Sequence, residues 1–197
     1  MIELPDYSKA TNAAYELLYN YQGKLPVVDV FSLIDLIKPN KRVKVNTYSQ
    51  MAQKFGCSFK DFLKYYASSE HGFTLKRGNC YFICFNELKD EKTIRFTIAH
   101  EIGHIVLGHM EDNSVAKKEA DCFARNVLCP VPISDGFHVT TEKEYMDCFN
   151  ISEPMATATV SLRSSDKYYI TTENYNNFND VVYGYFSGYS LAELYGY

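Results

Sequence analysis

Residues Thr97 to His109 read TIAHEIGHIVLGH, and at their centre His100, Glu101, Ile102, Gly103 and His104 spell His-Glu-x-x-His. On a helix, positions i and i+4 lie one turn apart on the same side, so both imidazoles can reach one ion. Glu101 follows the first histidine, offset by about 100° around the helix axis. Its carboxylate would stand beside a metal, close enough to take a proton from bound water without being a ligand. Zinc suits such a site, because it accepts two nitrogens and a carboxylate oxygen and keeps a fourth position for water. The ion would lower the pKa of that water to roughly 7. The bland alternative is a core helix with two coincidental histidines. Against it, Thr93–His109 holds no proline, and Ile94, Ile98, Ile102, Ile105 and Val106 recur at helical spacing.

A second helix supplies what two histidines lack. In KKEADCFARNVLC (117–129), closed by Pro130, the residues Ala120, Phe123, Ala124, Val127 and Leu128 form an apolar stripe with the preceding Ala116. Glu119 sits among them. A carboxylate on a core-facing stripe is costly unless paired or coordinated. Completing a His-His-Glu set with His100 and His104 would resolve that cost. Asp121 admits two readings. Lys117 and Arg125, four residues away on either side, fit a surface ion-pair ladder. Alternatively it accepts a hydrogen bond from a ligand histidine. His109 fails the spacing of a third histidine ligand and reads as a helix-end residue against the C-terminal dipole. His71 and His138 have no spacing argument and read as structural.

The length of 197 residues fits one domain with a real core. A net charge of −4 argues against a general nucleic-acid binder. The opening MIELPDYSKATN has no basic region followed by an apolar stretch, and no apolar run approaches the ~20 residues of a membrane span. A cytoplasmic setting is therefore expected, with the six cysteines reduced. Helices are expected from Ser8 to Tyr21 and from Pro26 to Lys38, a strand over 41–48, and a short helix capped by Ser58. Gly78-Asn79 between HGFTLKR and CYFICFN predicts a hairpin. Its second arm, Cys80–Phe85, is apolar on both faces. If that arm lies at the sheet edge, an extended substrate segment can pair with it. The whole reads as an α+β, zincin-like domain with a small sheet packed against several helices.

FTIAHEIGHIVLGH (96–109) followed by KKEADCFARNVLCP (117–130) resembles the ImmA/IrrE metallopeptidases, whose members carry an AHELGH-type helix and a later EADxFAxxLLMP-type helix. The resemblance extends upstream through LPVVDVFSLIDLIK and SSEHGFTLKRGNCYFICFNE, and downstream through CFNISEPMATATVSLR. Carried over position by position, it implies zinc on His100, His104 and Glu119 and a catalytic role for Glu101. It further implies an intracellular endopeptidase that cleaves a repressor-type protein of a phage, mobile element or stress regulon. Cys129 stands where the family has Met, a conservative packing change. On this reading residues 1–165 form the metallopeptidase domain. Residues 166–197 are a Tyr-rich extension packed on it, with no counterpart in the resemblance. Two other function classes fit parts of the sequence. One is a non-catalytic metal-binding regulator, against which the intact Glu101 argues. The other is a helix-turn-helix over 142–163, whose second helix carries Arg163 as its only base, a poor surface for phosphates.

Overall fold

The computed structural model describes residues 4–21, 25–37, 41–111 and 113–187, with side chains to residue 179. The chain opens with two helices, α1 (Tyr7–Tyr19) and α2 (Val30–Ile37), then strand β1 (Arg42–Thr47). Two short helices follow, α3 (Tyr48–Phe55) and α4 (Phe59–Tyr65), then the hairpin of β2 (Gly72–Arg77) and β3 (Cys80–Phe85). The long helices α5 (Glu91–Leu107) and α6 (Ser114–Leu128) come next. The short α7 (Val131–Gly136) and α8 (Glu142–Phe149) lead to α9 (Glu153–Tyr169) and α10 (Thr172–Ser187). The expected α+β architecture is present.

The sheet has the order β1-β3-β2. The hairpin turns at Gly78, whose φ of 58° lies in the left-handed region that a Cβ disfavours. β3 pairs antiparallel with β2 and parallel with β1, Ile83 lying opposite both Thr74 and Val45. This removes the condition on which substrate docking along Cys80–Phe85 depended, an edge position. β3 is the central strand, its backbone groups are taken on both sides, and no substrate can add there. Its apolarity on both faces has another cause. Ile83 and Phe85 enter the main core with Ile98, Ile102 and Phe123, while Cys84 joins Tyr48, Phe62 and Phe73 in a second cluster under α3 and α4.

α3 occupies a stretch that reads as merely polar. Thr47 and Gln50 form a capping box at its start, and Gly56 closes it with φ 66°. Arg95 on α5 is buried and donates to the carbonyls of Val28 and Phe149, so one guanidinium ties α5 to the segment before α2 and to the end of α8. α10 packs against the amino-terminal helix through Phe178, whose ring meets Tyr15 edge-on at 5.2 Å. The remainder of the Tyr-rich extension, 188–197, lies outside the described residues. No helix among the described residues is long and apolar enough to cross a membrane.

Candidate metal centre

Two helices build the site. Asp90 caps α5 by accepting from the Thr93 amide, and Asn113 caps α6 by accepting from Val115 and Ala116. The helices pack closely because Gly103 has no side chain. A Cβ there would lie 3.0 Å from Phe123 Cδ1 and 3.3 Å from Ala120 Cα. At the end of α5, Gly108 adopts φ 76°, and the His109 amide returns to the His104 carbonyl at 3.0 Å. That αL turn folds the chain back and lays the His109 ring beside His104. His109 is thus more than a helix-end residue against the dipole. Its side chain is 11% exposed and bonded at both nitrogens.

The result is a continuous chain of polar contacts. His100 Nδ1 meets Asp121 Oδ1 at 2.8 Å, and His100 Nε2 meets His104 Nε2 at 3.0 Å. His104 Nδ1 meets His109 Nδ1 at 3.0 Å, and His109 Nε2 meets Glu119 Oε2 at 2.8 Å. Glu119 Oε1 accepts the backbone N–H of Asp6 at 2.7 Å. Of the two readings of Asp121, the structure favours the hydrogen-bond acceptor, since Arg125 pairs with Asp166 instead. His100 and His104 converge as their spacing requires. Glu119 turns inward, away from water, and meets His109, whose other ring nitrogen meets His104. Among the described residues no group of three or more His, Cys, Asp or Glu is arranged to hold a metal ion.

Proton accounting shows what this arrangement suits. An ionised carboxylate only accepts, and a neutral imidazole donates from one nitrogen and accepts at the other. Asp121 therefore takes Nδ1–H of His100 and leaves a lone pair on Nε2. From the other end, Glu119 takes Nε2–H of His109, whose Nδ1 then accepts Nδ1–H from His104. His104 Nε2 is left with a lone pair too. The two lone pairs meet at 3.0 Å, where only a cation, a proton or a metal, satisfies both. Two nitrogens on one tetrahedral zinc would stand about 3.3 Å apart, given Zn–N bonds of 2.0–2.1 Å. The pair fits a metal.

This centre opens on a cleft of about 1090 Å³. His100, Glu101, His104 and His109 line one wall, β2 from Gly72 to Thr74 another, and α9 through Met155, Ala158 and Leu162 a third. Glu101 is only 6% exposed. Across the sheet, burial pushes the Cys84 thiol up to about 11; the Lys54 ammonium opposes this and the Glu101 carboxylate adds to it. Cys84 is therefore a neutral packing group, and all six cysteines are unpaired.

Residues 58–130 match the Peptidase_M78 family model, the IrrE N-terminal-like domain. This stretch is similar to an IrrE N-terminal-like domain. The match runs from the cap of α4 to the proline after α6, so the IrrE-like part contains the hairpin, both site helices and every histidine of the cluster. The ImmA/IrrE resemblance stands on the same residues. A peptidase family of this kind gives the IrrE-like domain a metallopeptidase type of function and implies a metal cofactor. No curated protein matches the chain.

Sequence reasoning missed two partners of Glu119, His109 and the Asp6 amide. The signal for His109 lay in Gly108. A glycine just past a helix end commonly reverses the chain, and the next residue then faces the last turn. Nothing in the sequence pointed to Asp6, because the contact spans 113 residues.

Proposed function

We propose that this protein is a zinc-dependent endopeptidase that cleaves a repressor-type regulatory protein in the cytoplasm. The observation that carries the reading is the pair of opposed Nε2 atoms of His100 and His104 beside the buried Glu101 on a cleft wall. His100, His104 and Glu119 would hold the ion. Glu119 Oε2 can stay on His109 while Oε1, which accepts one N–H from Asp6, keeps a further lone pair for the metal. When bound, zinc supplies an acidified water and a Lewis acid for the scissile carbonyl. Glu101 takes the proton of the attacking water and hands it to the leaving amine. Asp121 keeps His100 in the tautomer that presents Nε2.

The substrate side of the cleft is β2. Among the described residues β2 pairs only with β3, so its outer edge can take an extended chain. Thr74, in the middle of that strand, lines the cleft and has a buried hydroxyl with no hydrogen-bond partner. A substrate segment laid along β2 would supply one. It would cross the histidines, with α9 closing the far side. The repressor as substrate rests on the family resemblance alone, and no direct contact with nucleic acid is part of the reading. Arg163, the base of the helix-turn-helix alternative, is tied to Asp135.

The test pairs zinc content with mass spectrometry of new amino termini after incubation with a proteome-derived peptide library. Wild type should bind one zinc and cut. Glu101→Gln should keep the zinc and lose cleavage by about 10²–10⁴-fold, the usual cost of a lost general base. Zinc binding without cuts by the wild type would favour the non-catalytic regulator instead. Equal cutting by both proteins would remove Glu101 from its role.

A further inference from the structure

We infer that His109 is the positioning residue of this centre, holding His104 in the tautomer that aims Nε2 at the ion and coupling it to Glu119. This rests on the metallopeptidase reading for its consequence and on the hydrogen-bond chain for its geometry. The His109 side chain is 11% exposed and sandwiched between two site residues, with both ring nitrogens at hydrogen-bond distance. Its place is fixed by the backbone as well, through the Gly108 turn and the His109 N–H to His104 carbonyl bond. The rings of His104 and His109 meet edge to face, 75° apart with centroids at 5.0 Å.

The geometry separates this role from that of a third histidine ligand. His109 contacts Nδ1 of His104, whereas the convergence with His100 is at Nε2, on the opposite edge of the ring. Both nitrogens of His109 are engaged, Nδ1 by His104 and Nε2 by Glu119, so neither is left to bind an ion. His109 can decide which nitrogen of His104 carries the proton. Glu119 accepts Nε2–H of His109, so His109 Nδ1 must accept, and His104 must donate from Nδ1. Asp121 does the same for His100 directly. The two histidines are thus oriented by two carboxylates of α6, one acting at first hand and one through an imidazole. Such outer partners fix ring orientation and raise ligand basicity. Without His109, His104 would be free to put its proton on Nε2 and turn a donor toward the metal position. Glu119 would lose the contact that holds one of its oxygens.

The experiment measures zinc affinity of the full chain by chelator competition, together with imidazole ¹⁵N shifts of the zinc-free protein. His109→Ala should weaken zinc by about 10–100-fold, the range for loss of an outer partner. His109→Gln should recover most of that loss, because its amide oxygen accepts from His104 and its amide nitrogen donates to Glu119. In the zinc-free wild type, His104 should carry its proton on Nδ1, and His109→Ala should abolish that preference. Zinc affinity in His109→Ala equal to or above wild type would overturn the inference. So would a His104 protonated on Nε2 alone in the wild type. If His109→Ala fails to fold, His109→Gln and the wild-type shifts still decide. A wild type that takes up no zinc would sink the peptidase reading, while the shifts would judge the role of His109 separately.

Discussion

Gly103→Ala offers a direct test of the packing that sets the site. Gly103 is buried at the α5–α6 crossing, and its new Cβ would stand 3.0 and 3.2 Å from Phe123 Cδ1 and Cγ and 3.3 Å from Ala120 Cα. The ring and the backbone of α6 would each have to yield by a few tenths of an ångström. Two opposite effects compete. Replacing glycine inside a helix gains about 0.8–1.0 kcal/mol of propensity. Overpacking a close contact costs about 1–3 kcal/mol. The difference is a net destabilisation of about 0–2 kcal/mol, or a few degrees in Tm, since each kcal/mol moves a chain of this size by about 2–4 °C. The closest contacts are with the Phe123 ring, so Phe123→Ala, which removes Cγ and Cδ1, should relieve most of the clash and leave the 3.3 Å approach to Ala120 Cα. In that background Gly103→Ala should cost less or turn stabilising, at most by its propensity gain of about 1 kcal/mol. Thermal unfolding followed by circular dichroism on the four proteins reads the cycle. A clear rise in Tm for Gly103→Ala alone, or no coupling to Phe123, would refute the claim that this glycine sets the helix distance.

Other outcomes follow from single contacts. Arg125 grips Asp166 with two bonds of 2.6 and 2.7 Å, and both are buried, so Arg125→Met should cost about 3–5 kcal/mol in urea unfolding by stranding the carboxylate. Gly72→Ala should destabilise by about 1–3 kcal/mol, because its Cβ would run into Thr97 Cγ2 and stand 3.0 Å from the Cys84 carbonyl oxygen; Thr97→Ser, which lacks that methyl, should restore part of the loss in the same assay. The Thr140 and Thr141 amides hold the Glu144 carboxyl at about 2, below its ordinary 4.5. A depressed carboxyl stabilises the fold above about 4.5 and loses that contribution as the pH falls toward 2. Tm should therefore separate wild type from Glu144→Gln at pH 6, with the gap narrowed at pH 3 and closing only below about 2; an equal gap at pH 6 and pH 3 would be the contrary result.

How much was legible in the sequence follows from how far each signal reaches along the chain. Periodicity and caps are local, so α5, α6, the Ser58-capped helix and the hairpin could be read directly from the sequence. α3 was missed although Thr47-Tyr-Ser-Gln50 is a readable capping box, because apolar spacing was weighed ahead of cap chemistry. Sheet order depends on tertiary contacts. The Gly78 turn pairs β2 with β3, but no residue near β1 announces on which side of the hairpin it docks. The docking expectation depended on an edge position and failed there: the two-faced apolarity of Cys80–Phe85 belongs to a central strand covered by two cores. The histidine spacing was legible because one turn of helix separates the pair. Glu119 was legible as a buried carboxylate, whereas its actual partners required the fold.

The site and the core are one packing. His100 and His104 stand on α5, Glu119 and Asp121 on α6, and two polar links, His100 to Asp121 and His109 to Glu119, cross the interface that Gly103 and Phe123 fill. Each link is shorter than 3 Å, so a shift of α6 by a few tenths of an ångström would act on both histidines together. The Asp6 amide adds the amino-terminal end of α1 to the same carboxylate. The distance between two helices, set by a missing side chain, therefore decides where two ring nitrogens point. A change far from the cleft but at this crossing should alter zinc affinity before it alters the fold.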